Sequence, residues 1–212
     1  SQTISGTLSA NLGAGETVQV SVNNGATWTT ATTTAGQANY SLSGVTLSGS
    51  STLQVRVVDA SNVPGTPLSQ AYVLDATAPA SSVTTATISP NGSASVTSTE
   101  AGTAYLVNTS VAVNNLSNIT GAAGNLWNSV AVQANTATNL SAAGLTPGEY
   151  QVYTVDAAGN LSAASSDTVT IVSSGATVST VSLSADTGSS SSDFVTNVAS
   201  QTISGTLSAN LV

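Results

Sequence analysis

Histidine, cysteine, methionine and lysine are absent from this 212-residue chain, and Arg56 is its one cation. Each absence excludes a class of chemistry. Without His or Cys there is no zinc site, haem ligand, thiol nucleophile, disulfide or Ser-His-Asp triad. Without Lys there is no Schiff base, no P-loop lysine and no Lys–Asn isopeptide crosslink. A single cation does not neutralise a nucleic-acid backbone, and the same argument disfavours an anionic membrane surface. No apolar run approaches the roughly 18 residues that span a bilayer. Charged residues make up 5%, against roughly 25% in ordinary soluble chains, and nine acids leave a net charge of -8. The apolar share, 40% before the 18 glycines are added, is ordinary. The unusual part is the surface, where Ser, Thr and Asn replace Lys, Glu and Arg. This composition fits an extracellular protein built without disulfides. Ser1 stands where an initiator Met would, with no visible signal peptide, and the expectation is an internal piece of a longer chain.

What is present is a repeat. Residues 1–12 read SQTISGTLSANL, and residues 200–211 read the same twelve letters, a period of 199 residues. Such recurrence decides the architecture before any local reading does. The chain reads as one full period of a tandem array plus the start of the next. A boundary falls at Leu74–Pro79 and a softer one at Val172–Gly175. These give a domain over 1–79 that lacks its opening strands, a second domain over 80–172, and, over 173–212, the opening strands of the next repeat.

The expected fold class is all-β. Thr17–Val22, Leu53–Asp59 and Tyr150–Asp156 alternate apolar and polar residues, as half-buried strands do. Asn23-Asn24-Gly25 reads as a turn, with Ala26–Thr30 returning as a hairpin partner. No stretch shows helical apolar spacing. Two Greek-key β-sandwiches of about seven strands each follow, a size suited to the lengths found. Trp28 and Trp127 invite a sugar-stacking reading, against which core packing or a sheet-edge plug is the plainer one. The run Thr29–Thr34 reads as exposed strand and loop. Six Asn-x-Ser/Thr sequons (Asn91, Asn108, Asn115, Asn118, Asn139, Asn160) are expected of a chain this rich in those residues.

GETVQVSVNNGATW, TLQVRVVDASNVPG and YVLDATAP resemble the bacterial immunoglobulin-like repeats of giant surface adhesins and biofilm-associated proteins. GLTPGEYQVYTVDAAGNLS is similar to another subtype of that group, and SADTGSSSSDFVTNVASQTISGTLS to the usual opening strands of the first. The resemblance covers nearly the whole chain, with residues 108–139 departing from it. It implies tandem immunoglobulin-like sandwiches in series, export to the cell surface, and frequent calcium at domain junctions.

With so few charges, each acid can be placed. In a seven-strand sandwich the chain-entry end also carries the second–third and sixth–seventh strand loops. In the second domain those loops hold Glu100, and Asp156 with Asn160. Asp75 arrives at the same end from the linker. Carboxylates crowded without a cation repel, and a hard divalent ion taking six to eight oxygens relieves them, calcium more readily than magnesium. The plainer alternative is solvated acids capping turns. The first domain has the same skeleton in Glu16, Asp59 and Asn62, but its linker carries no acid, so a weaker site or none is expected. Asp186 and Asp193 form a candidate loop site. A carboxylate pair for glycoside hydrolysis has no supporting cleft or aromatics in the sequence, so no enzyme is expected. The expected role is a structural repeat of an extracellular adhesin stalk or surface filament. Its partners are neighbouring copies joined head to tail, the tail of one completing the sandwich of the next. The alternative is a glycan- or surface-binding module centred near Trp127.

Overall fold

The computed structural model describes residues 1–173 and 175–208. Ser174, in the softer boundary, and residues 209–211, the end of the second twelve-residue string, lie outside the described residues. The chain is all-β, and it divides into two compact units, Ser1–Thr77 and Ala78–Val212.

Unit 1 holds β1 (Gln2–Thr7), β2 (Thr17–Ser21), β3 (Thr29–Thr30), β4 (Thr32–Thr33), β5 (Asn39–Val45), β6 (Ser51–Val58) and β7 (Leu68–Tyr72). They form two sheets, in the orders β1-β5-β4 and β3-β2-β6-β7. Alternation puts Val18 and Val20 of β2 fully inside, where they meet Leu12 and Ala31. Ile4, Leu8, Tyr40, Leu42, Leu53, Val55 and Val57 pack on that nucleus but stay partly exposed. The turn after β2 is longer than a two-residue hairpin: Asn23 Oδ1 accepts the Thr27 N–H at 2.9 Å and Ser21 Oγ the Gly25 N–H at 2.9 Å. Trp28 lies under Arg56, whose Cζ is 3.8 Å from the ring centroid, while the guanidinium holds Gln19 Oε1 at 3.0 and 2.8 Å. The chain's one cation is thus engaged in a cation–π contact and an amide.

Unit 2 contains β8 (Ser81–Val83), β9 (Ala86–Ile88), β10 (Ser93–Ser98), β11 (Gly102–Asn108), β12 (Trp127–Val132), β13 (Thr138–Ser141), β14 (Gly148–Asp156) and β15 (Val169–Ile171). Their orders are β13-β10-β8 and β12-β11-β14-β15-β9. The opening segment serves both sheets: β8 pairs antiparallel with β10, and β9 pairs parallel with β15. Between the sheets lie Val96, Leu106, Leu140, Tyr150, Val152 and Val169, all fully buried. Where β14 runs past β15, two buried serines continue the ladder. Ser165 Oγ accepts the Val152 N–H and Ser162 Oγ the Thr154 N–H, each at 2.9 Å. Gly102 is required where it stands, since a Cβ there would overlap the Val155 carbonyl.

Residues 108–139 include one turn of helix, α1 (Leu116–Thr120), which the periodicity did not predict. Five residues are too few to show a period. The helix is held instead by a capping box in which Asn115 and Asn118 bond each other's backbone N–H, with Ile119 buried beneath. Tyr150 is the other unforeseen anchor. Its hydroxyl donates to the Thr146 carbonyl at 2.7 Å, tying the start of β14 to the preceding connection, as the tyrosine corner of Greek-key sandwiches does.

The last two strands, β16 (Val178–Leu183) and β17 (Ile203–Leu207), form a two-stranded sheet of their own. Its apolar side chains are uncovered: Val178 is 69% exposed and Val181 53%.

Tyr150→Phe leaves the Thr146 carbonyl without this donor. It should lower the stability of unit 2 by about 1–3 kcal/mol, read as a lower urea midpoint for its transition with the unit 1 transition unmoved.

Candidate functional site

The turns after β6 and β14 are built the same way. Asp156 ends β14, and its Oδ1 accepts the N–H groups of Ala158 and Asn160, each at 2.8 Å. Asp59, just past β6, does the same with Ser61 and Val63, each at 2.8 Å. The third residue on takes a left-handed conformation in both, Gly159 at φ 92° and Asn62 at φ 64°. These are Asx turns, which mimic a backbone turn with a side-chain carboxylate.

In unit 2 this turn brings an acid near a second one. Ser98 ends β10, and its Oγ accepts the Glu100 N–H at 3.3 Å. Glu100 and Asp156 each place a carboxylate oxygen within 4.8 Å of the other. Asp156 is 7% exposed. Burial works to raise its pKa, but bonds from the Asn160 side chain and from the backbone of Asn160, Ala158 and Gly159 outweigh it and hold the carboxyl below its ordinary value. The pair therefore keeps a charged member, and no Lys, Arg or His of unit 2 exists to neutralise it.

The remaining expected ligands fall out differently. Asn160 turns its amide nitrogen to Asp156, Nδ2 donating to Oδ2 at 2.8 Å, so it holds the acid in place. Asp75 Oδ1 accepts the Thr77 N–H at 3.0 Å in the segment that ends unit 1. Glu16 Oε2 accepts the Gly13 N–H at 2.7 Å, so Glu16 and Asp59 both cap turns. Asp186 Oδ2 accepts from Phe194 N and Asp193 Oδ1 from Val195 N, each at 3.1 Å, within a loop closed by Gly188 N–H on the Val195 carbonyl. Asp186 Oδ1 is buried with no hydrogen-bond partner among the described residues. Trp127, on the edge strand β12, lies with its ring 5.9 Å from Tyr105 and its Nε1 buried. No described helix is long and apolar enough to cross a membrane.

No protein-family model matches the chain, and no curated protein matches it. Among solved structures, the chain is similar to one described as "Biofilm associated protein - BSP domain", at 18% identity and a TM-score of 0.31. The match covers 82% of this chain and 28% of that one, so the chain spans less than a third of that protein's length. A likeness of that degree carries no functional inference.

The low pKa of Asp156 fixes a pH dependence. A depressed carboxyl contributes stability in full above its unfolded value, about 3.9, and loses it as pH falls through the lower folded value. Asp156→Asn should lower the urea midpoint of unit 2 near neutral pH, and the gap from the parent chain should close on acidification below about pH 4. A gap that stays constant to low pH would show that the carboxylate charge is not what the turn uses.

Proposed function

We propose that the chain is a structural repeat of an extracellular adhesin stalk or surface filament, a series of immunoglobulin-like Greek-key sandwiches bounded near residues 79 and 172. Its work is mechanical. Sandwiches in series extend reach, and stiffened junctions keep the series from bending. The observation that carries this reading is the letter-for-letter return of the residue 1–12 string at 200–211. That string forms an edge strand in unit 1 and half of a bare two-stranded sheet at the other end of the chain. The tyrosine corner and the two-sheet order of unit 2 support the Greek-key reading.

Calcium stiffens the junction ahead of unit 2 in this reading, held by Asp75, Glu100 and Asp156 with Asn160 orienting Asp156. Glu100 and Asp156 fit a hard cation: two close carboxylates, one kept ionised, and no basic side chain in the unit. Asp75 lies five residues ahead of Ala80, whose N–H bonds Thr99 Oγ1 at 2.9 Å beside Glu100. Five residues reach at most about 17 Å, so the linker acid is tethered within range. The orphaned Asp186 Oδ1 supports a second calcium in the loop with Asp193. Glu16, Asp59 and Asn62 make the weaker site. The glycan-binding alternative gains no support at Trp127, whose ring is packed on Tyr105.

Two repeats joined in one polypeptide should scatter X-rays as an extended rod in millimolar calcium. The unit 2 melting temperature should rise by several degrees over that in chelator. Glu100→Gln should abolish the calcium response and leave the melting temperature in chelator nearly unchanged. A compact scattering profile removes the stalk reading, and an identical melt in calcium and chelator removes the junction ion.

A further inference from the structure

The outer face of the β3-β2-β6-β7 sheet carries the chain's one cation, and no counter-ion accompanies it. Val18 and Val20 of β2, and Val55 and Val57 of β6, face the core of unit 1. Side chains alternate along a strand, so Gln19 and Arg56, opposite each other in the register, face outward. They stand on the two central strands, so a strand added at either edge of the sheet leaves this face open. Arg56 is half-buried, and its partners are neutral. Nε and Nη2 donate to Gln19 Oε1, and the Trp28 ring lies under the guanidinium. Among the described residues no carboxylate bonds it, although the chain has nine acids. The Nη1 hydrogens and the second Nη2 hydrogen find no acceptor there either.

We propose that this face binds an acidic sugar, a pyranose bearing one carboxylate, and that Arg56 takes the carboxylate. The unused edge of the guanidinium is the fork that holds a carboxylate through two parallel bonds. A ring quadrupole attracts a cation without neutralising it, and a partly desolvated charge remains unfavourable until an opposite charge meets it. Trp28 and Gln19 already fix the plane of the guanidinium, so little of its freedom is left to lose on binding. The proposal goes beyond the stalk reading and does not depend on it. A mechanical spacer with this face gains a lateral hold on glycan.

The surroundings of the fork select the ligand. Two rows cross the sheet on this face, Thr30-Gln19-Arg56 and Ser21-Gln54-Ser69. Gln54 Nε2 donates to Ser69 Oγ at 3.2 Å and to Asn24 Oδ1 at 3.3 Å. Gln54 Oε1, Asn24 Nδ2 and Gln19 Nε2 bond nothing among the described residues, so acceptor and donor groups suited to sugar hydroxyls border the fork. The rows lie about 7 Å apart along the strands, so one ring seated on Arg56 reaches the Gln54 amide. Neither row holds an apolar side chain, whereas a protein partner needs an apolar interface core. One cation also matches one carboxylate: a polyanion would meet Arg56 and then the net charge of -8. Unit 2 has no Lys, Arg or His, so the site belongs to unit 1 alone.

Because Arg56 is the one arginine, the full chain labelled with heavy nitrogen gives a single arginine Nε–H resonance, and the test needs no substitution. The methyl glycosides of glucuronic acid and of N-acetylneuraminic acid are titrated separately, in chelator so that no metal bridges them to the turn acids. At least one is expected to move this resonance saturably at millimolar concentration. Its methyl ester, with the charge capped, should bind about tenfold more weakly or worse, and so should acetate, which has no ring. Arg56→Lys keeps the charge and loses the fork, and should weaken the glycoside about tenfold by calorimetry. A resonance that neither glycoside moves overturns the site. Equal affinity for the ester overturns the role of the carboxylate, and unchanged affinity in Arg56→Lys overturns the fork. Acetate binding as well as the glycoside overturns the sugar ring, and an oligoglutamate peptide binding more tightly overturns glycan as the occupant. None of these results alters the scattering of two joined repeats, which tests the stalk reading separately.

Discussion

A β-sandwich depends on each sheet covering the apolar face of the other, because burying that surface is the main favourable term in its folding. The two units differ chiefly in how far they meet that requirement. Unit 2 meets it with its own opening segment, split between its sheets, and buries a full set of large side chains. In unit 1, Ile4, Leu8, Tyr40, Leu53, Val55 and Val57 remain partly exposed around a small buried nucleus. The β16–β17 sheet is held by its backbone ladder and leaves Val178 and Val181 exposed. An isolated two-stranded sheet is marginal in water.

The second constraint is the shortage of charge. With Arg56 held between Trp28 and Gln19, the acids are stabilised by backbone N–H groups instead of by cations. Asp59 and Asp156 share one turn geometry because each must satisfy the backbone where a long strand, β6 or β14, ends. What distinguishes them is their surroundings. Glu16, near the same end of unit 1, is occupied in its own turn with Gly13, whereas Glu100 comes within 4.8 Å of Asp156. Local rules alone thus keep one carboxylate ionised close to another.

Much of this is legible in the letters. β2, β6 and β14 announce themselves because alternation with β-branched residues leaves no competing helical period, and Asp-x-x-(Asn/Gly)-x after a strand is a turn with a stated mechanism. Glu100 and Asp156 are legible as neighbours only through topology, since strand direction alone decides that their loops share an end. What stays hidden is set by chemistry outside periodicity. α1 rests on one reciprocal cap between Asn115 and Asn118, in a region where Asn is everywhere. The Ser162 and Ser165 bonds to β14 are ladder contacts made by side chains, and Ser reads as loop. Tyr150 carries a positional signal, four residues after Thr146 at the start of the strand, but Leu53 at the matching place in unit 1 shows that the fold does not demand it.

Charge scarcity and backbone pairing also act on different scales. Repulsion between negative copies reaches about 8 Å at physiological ionic strength, and acts wherever two copies approach side by side. Backbone pairing acts only at contact. Long-range repulsion and short-range pairing are therefore carried by different residues: by turn acids such as Asp59 and Asp156, and by strands such as β1 and β16, which hold none.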